Sequence, residues 1–132
     1  MQFSISKIFT VSPKKIYLTW LNSEKHSAMT GADAHISNKA NAHFSAWDGY
    51  ITGTNIQLIS GEKIIQYWRT EDFEDDQDDS IIEIYFDEIP EGTLLTLNHF
   101  NLLEKDTSYE QGWIDNYFTP MEEYFDKGKK KK

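Results

Sequence analysis

Cysteine is absent from these 132 residues. Disulfides and thiolate metal sites are thereby excluded, and a reducing, cytoplasmic location is the natural expectation. No run approaches the roughly 20 apolar residues that cross a bilayer, so no membrane span is expected. The opening residues, MQFSISKIF, also lack the apolar stretch of a secretory signal. Arginine occurs once, at Arg69. Positive charge is scarce altogether outside the C-terminus. Five of the 13 basic residues fall within the last six positions, leaving residues 1–126 with 8 basic against 22 acidic groups, a net of −14. A body that acidic repels phosphate backbones, which argues against a nucleic-acid partner. No nucleophile–base pair, glycine-rich phosphate loop, HExxH or paired-carboxylate motif is present. No catalytic residue, metal ligand or cofactor is therefore assigned.

Aromatic residues, in contrast, are plentiful: 19 of 132 are Phe, Tyr or Trp. That suits a large aromatic core or an apolar pocket. The length suits one domain, placed at residues 1–126, with 127–132 expected to be a disordered lysine-rich tail. Residues 2–10 alternate Phe3 and Ile5 against Gln2, Ser4 and Ser6, as a strand does. Ser12-Pro13 then reads as a helix cap followed by proline in the first turn, and a second short helix runs from about Ser23 to Gly31. Residues 32–42 show no sustained period and read as a loop.

Phe44 to Arg69 reads as three strands joined by two tight turns. Asp48-Gly49 is a favoured pair for a two-residue hairpin and Ser60-Gly61 supplies the second break. Gly53 reads as a strand bend or bulge. The stretch EDFEDDQDD, residues 71–79, is too acidic for a buried strand and reads as an exposed loop. It lacks the ligand spacing and central glycine of an EF-hand, so a solvated loop, open to a basic partner, fits it better than a calcium site. Strands follow over 80–87 and 93–101. A terminal helix over about 109–125 carries Ile114, Phe118, Met121 and Phe125 as an apolar stripe, with a kink or restart expected at Pro120. Strands run together instead of alternating with helices, which gives an α+β class. A single long helix must bury its stripe on the sheet, and a sheet curved around it would enclose a pocket.

Five segments in this order resemble bacterial members of the family related to the C-terminal domain of the activator of the heat-shock protein 90 ATPase. They are His26–Gly31 (HSAMTG), Phe44–Gly53 (FSAWDGYITG), Lys63–Arg69 (KIIQYWR), the TLLTLNH strand ending at His99, and Gly112–Phe125 (GWIDNYFTPMEEYF). Departures are local: Ala42-His43 replaces a common glycine pair, Glu74 a proline, and Leu102-Leu103 an Ile-Pro. The eukaryotic activator also carries an N-terminal domain that grips the chaperone, and no segment here corresponds to it. The family belongs to the START-like, or Bet v 1-like, helix-grip superfamily. This resemblance implies a curved antiparallel sheet wrapped around the C-terminal helix, with an apolar or amphipathic small molecule held between them.

Parity then selects the residues that face such a space. Gln66 and Trp68 share one face of their strand, and Leu95, Leu97 and His99 one face of theirs. Trp47, Ile51, Trp113, Tyr117, Phe118 and Met121 line the cavity or simply fill the core. His99 is either a polar handle or base in that cavity, or a core histidine satisfied by its neighbours. His26, His35 and His43 have no metal spacing and read as exposed or capping. Arg69 should point outward into a surface ion pair. Three functions compete: a binding module for an apolar small molecule, an accessory to a chaperone ATPase, and a cyclase- or hydrolase-type enzyme using His99. A monomer or weak homodimer is expected.

Overall fold

The computed structural model describes residues 1–130. β1 (Phe3–Phe9) is followed by two capped helices. The Ser12 Oγ accepts from the Lys15 N–H at 3.2 Å and Pro13 opens α1 (Pro13–Trp20). The Asn22 Oδ1 accepts from the Lys25 N–H at 2.9 Å, and α2 (Ser23–Thr30) stops at Gly31, whose φ of +84° suits glycine. Five strands then form a meander: β2 (His43–Ala46), β3 (Ile51–Ile59), β4 (Lys63–Thr70), β5 (Ser80–Ile89) and β6 (Gly92–Phe100). The sheet order is β1-β6-β5-β4-β3-β2, antiparallel throughout. The two helices carry the chain from one edge of the sheet to the other. The α+β helix-grip architecture expected from the sequence is what the chain adopts.

Strand parity holds. Ile64, Gln66 and Trp68 on β4, Ile82, Ile84 and Phe86 on β5, and Leu95, Leu97 and His99 on β6 are all buried. Facing them is the terminal helix, built as α3 (Tyr109–Trp113), a π-helical stretch (Ile114–Phe118) and α4 (Thr119–Lys130). In the stretch the Thr119 N–H reaches the Ile114 carbonyl, five residues back. Pro120 lacks an N–H and would press on the carbonyl four residues earlier, and a widened turn relieves that pressure without breaking the helix. Of the kink or restart expected at Pro120, the chain shows a change from π- to α-helical geometry at Thr119 within a continuous helix. The extra residue also moves Ile114 to a half-buried position and brings Trp113 and Tyr117 into the core. The helix runs to Lys130. Residues 131–132 of the expected tail lie outside the described residues.

Two turn expectations need correcting. Ala46 pairs with Ile51, so the β2–β3 connection is a four-residue loop, Trp47–Tyr50, and not a two-residue hairpin. Trp47 and Asp48 both take left-handed φ, +52° and +57°. Tertiary contact sets this shape: Asp48 exchanges backbone and side-chain hydrogen bonds with Asp33, at 3.0 and 2.9 Å. Gly53, for its part, is not a bulge; the register shift falls between Asn55 and Gln57. A Cβ at Gly53 would collide with the Tyr67 carbonyl and the Phe44 ring. The shift lies beside buried Asn55, whose Nδ2 donates to the Ser37 and Lys39 carbonyls while its Oδ1 accepts from Gln66 at 2.8 Å. That network pins the 32–42 segment to the sheet.

The acidic loop is exposed but ordered by one side chain. The Arg69 guanidinium donates to Asp79 Oδ1 at 2.8 Å, to the Gln77 carbonyl and to the Glu74 carbonyl, and lies 5.4 Å from the Phe73 ring centre. Arg69 points outward as expected, yet does more than pair with a surface acid. A lysine cannot reproduce this forked geometry. Arg69→Lys should cost about 1–2 kcal/mol and speed proteolysis within residues 71–79, read by urea unfolding and limited digestion. Gly53→Ala should cost about 1–3 kcal/mol through overpacking. Gly49→Ala, where only the φ of +89° opposes a side chain, should cost about 1 kcal/mol.

Candidate functional site

The terminal helix does not close evenly on the sheet. At the far end Phe9 meets Phe118 and Phe125 edge-on, with centroids 6.1 and 6.2 Å away. Leu95, Leu97, Phe118 and Met121 are fully packed there and reach no open space. At the near end a cavity of about 200 Å³ remains. Its walls come from the β2–β3 loop (Trp47, Tyr50), the start of β3 (Ile51), β4 (Trp68) and the helix (Tyr109, Gly112, Trp113, Asn116, Tyr117). The structure therefore brings together five of the expected cavity residues: Trp47, Ile51, Trp68, Trp113 and Tyr117. Gln66, Leu95, Leu97, His99, Phe118 and Met121 lie elsewhere in the core. Parity reports which face a residue occupies, not how far along the helix the gap opens.

The residues missed are Tyr50, Tyr109, Gly112 and Asn116. A signal for three of them was available. Tyr109, Gly112, Trp113, Asn116 and Tyr117 follow the i, i+3, i+4, i+7, i+8 spacing of one helix face. Gly112 stands on that face, and a Cβ there would meet nothing nearer than the Asn116 Nδ2 at 3.9 Å. Glycine in a helix costs about 1 kcal/mol relative to alanine, so room is gained at some cost in stability. Tyr50 donates from its hydroxyl to Asp72 Oδ2, and the Tyr109 hydroxyl bonds Thr70 at 2.6 Å. Burial raises both phenols above their ordinary range, and for Tyr50 the bond to Asp72 adds to that.

His99 sits behind this cavity, not in it. Its Nδ1 accepts from the Trp113 indole N–H at 3.0 Å. Indole nitrogen only donates, so the imidazole proton is on Nε2, which donates to the Ser80 Oγ at 2.8 Å. Ser80 in turn donates to the Trp68 carbonyl at 2.6 Å. The ring is fully buried between Phe3, Trp68, Tyr109 and Trp113, and burial lowers its pKa to about 3. With both nitrogens occupied and no opening to the cavity, His99 is the satisfied core histidine and not a base. His26 corrects the expectation of an exposed histidine. It is 1% exposed, donates from Nδ1 to the Trp20 carbonyl at 2.8 Å and accepts at Nε2 from the Tyr117 hydroxyl at 2.9 Å. Burial lowers it to about 4. His35 and His43 are exposed, beside Asp33 and Thr54.

The two histidines hold the helix's aromatic rings by their polar edges. Trp113 gives its N–H to His99 and Tyr117 its hydroxyl to His26, which leaves carbon surface toward the cavity. Trp47 is the exception: its indole N–H is buried without a partner. Such an unpaired donor costs about 1–3 kcal/mol, and it coincides with the left-handed backbone of the same residue. Among the described residues no group of three or more His, Cys, Asp or Glu side chains is placed to hold a metal.

A pH dependence follows from these bonds. Both histidines stay neutral in the fold, so protonation favours the unfolded chain. Their contribution is intact above the free-histidine pKa of about 6.5 and declines as pH falls toward 4 and then 3, by about 1.4 kcal/mol per unit for each ring. Nitrogen-15 NMR should show His99 as the Nε2–H and His26 as the Nδ1–H tautomer, unchanged from pH 7 to 5. Over the same range the urea-derived stability of the double variant His26→Gln/His99→Gln should fall less steeply than that of the parent. An imidazolium signal at pH 6 assigned to His26 or His99 would contradict the assignment of that ring.

Comparison with known proteins agrees with this architecture. The activator of 90 kDa heat shock protein ATPase homolog of Dictyostelium discoideum is 35% identical over 65 residues, covering 49% of this chain and 17% of that protein. An HSP90 activator from Plasmodium falciparum superposes with a TM-score of 0.83 at 22% identity, over 92% of this chain and 94% of that one. The Aha1 dimer of Colwellia psychrerythraea gives 0.73 at 13% identity, over 86% and 88%. These structural likenesses, under 25% identical, establish the fold alone. The match to the family model spans residues 10–126, and the chain accordingly belongs to the family described as Activator of Hsp90 ATPase homolog 1-like protein.

Proposed function

We propose that this protein is a non-enzymatic binding module that holds a small apolar or amphipathic molecule between the N-terminal half of its terminal helix and the β2–β4 side of its sheet. The supporting observation is the aromatic cavity, whose helical wall keeps a glycine where alanine would be more stable. Its volume bounds the ligand. An apolar cavity of about 150 Å³ admits benzene, and pockets for drug-sized molecules run from about 300 Å³ upward. A cavity of about 200 Å³ thus suits one ring or a short branched chain. We place the protein in the cytoplasm, as a monomer or weak homodimer with a single domain ending near residue 126. Absence of cysteine supports the compartment, and no helix among the described residues is long and apolar enough to cross a membrane.

A second reading, as an accessory to a chaperone ATPase, draws on the family and on the Dictyostelium relative. That match reaches only a small part of the relative's length, so its activity transfers only as a proposal. Stimulation of a heat-shock protein 90 ATPase by the purified chain would support it, and an unchanged rate at saturating protein would reject it.

For the binding reading, thermal shift against toluene, indole, p-cresol and neopentyl alcohol should find at least one compound that raises the Tm by several degrees. Ligand at 100-fold its Kd stabilises by about 2.7 kcal/mol. Gly112→Leu should remove that shift while the unliganded protein stays folded. Gly112→Ala should raise the unliganded stability by about 0.5–1 kcal/mol. No shift with any of these or related compounds would sink the reading.

A further inference from the structure

We propose that the cavity is an aromatic cage for a methylated or quaternary ammonium group. This rests on the reading of the cavity as a ligand site and names the chemistry of its occupant. Six rings surround the space: Trp47, Tyr50, Trp68, Tyr109, Trp113 and Tyr117. Trp68 lies 5.3 Å from Tyr109 and 5.5 Å from Trp113, which lies 4.8 Å from Tyr117. Ring faces carry partial negative charge and attract a cation within about 6 Å of their centres. The positive edges of Trp113 and Tyr117 are spent on His99 and His26.

The charge balance points the same way. No Lys, Arg or His lines the cavity. The carboxylate of Asp72 is tied to the hydroxyl of Tyr50 on its wall, and the body of the chain is strongly acidic. An anion would enter against that field. A primary ammonium or a guanidinium is disfavoured for another reason. It would bring three to five N–H donors against walls that are mostly ring carbon, where the side-chain acceptors are the Asn116 amide oxygen and phenol oxygens already held by other partners, and donors left unpaired are costly. Methyl groups on nitrogen remove those donors, keep the charge and present carbon to carbon. The unpaired Trp47 N–H is sealed from solvent and offers a cation nothing, which leaves the Asn116 amide as the exposed polar side chain on the wall. The volume suits a trimethylammonium head.

Isothermal titration of the intact chain separates charge from shape. Choline and tetramethylammonium are compared with 3,3-dimethylbutan-1-ol, the uncharged carbon counterpart of choline, and with toluene. Choline should bind at least about tenfold more tightly than its carbon counterpart. Asp72→Asn, at an exposed position, should weaken choline by about fivefold or more while leaving the alcohol within about twofold, and Tyr109→Leu should weaken choline by a larger factor than it weakens the alcohol. Equal or tighter binding of the alcohol would overturn the cage and leave the apolar cavity standing. So would binding of toluene with no binding of either cation. Failure of every compound would overturn both readings.

Discussion

A thread of three hydrogen bonds crosses the core and fixes how helix and sheet meet. It runs from the Trp113 indole through His99 and Ser80 to the Trp68 carbonyl. Apolar packing alone is non-directional and tolerates rotation or sliding of a helix on a sheet. A buried donor with one acceptor does not, because each misplacement leaves polar groups unpaired in a low-dielectric interior. This thread ties α3 to β6, β5 and β4 in one step. The parallel tie from Tyr117 through His26 to the Trp20 carbonyl holds the next helical turn against α1 and α2. The cavity lies between these two restraints and inherits its shape from them.

The π-helical stretch divides labour along the same helix. On its C-terminal side Met121 and Phe125 complete a close-packed hydrophobic core with Phe9. Towards its N-terminal end the rings spread apart and space remains. One extra residue in the turn changes the angular offset between the halves, so each presents its own face to the sheet. Pro120 at the junction keeps them from relaxing into one regular register.

Much of this fold is written in local pattern. Alternation on β4, β5 and β6 announced the buried faces because strand geometry admits only two sides. Ser12-Pro13 and Gly31 marked helix ends because their backbone chemistry is restrictive. The candidate site was legible only in composition: aromatic residues on facing elements. Where they leave a gap depends on Phe9 filling the other end, and the sequence does not show that pairing. His26 looked exposed because its short helix carries no clear apolar stripe, whereas its burial comes from Trp20 and Tyr117, 6 positions before it and 91 after it. The Trp47–Tyr50 loop departed from hairpin expectations because Asp33, distant in sequence, sets its conformation.

The clustering of indoles gives the molecule an optical character. All four tryptophans belong to one neighbourhood: Trp20 lies nearly parallel to Trp113 at 6.2 Å, Trp68 is 5.5 Å from Trp113, and Trp47 shares the cavity wall with both. Excitation absorbed by any of them passes among its neighbours before emission, so the chain behaves as one coupled chromophore. Its tryptophan fluorescence is therefore a signal of a single place, the junction of helix, sheet and cavity.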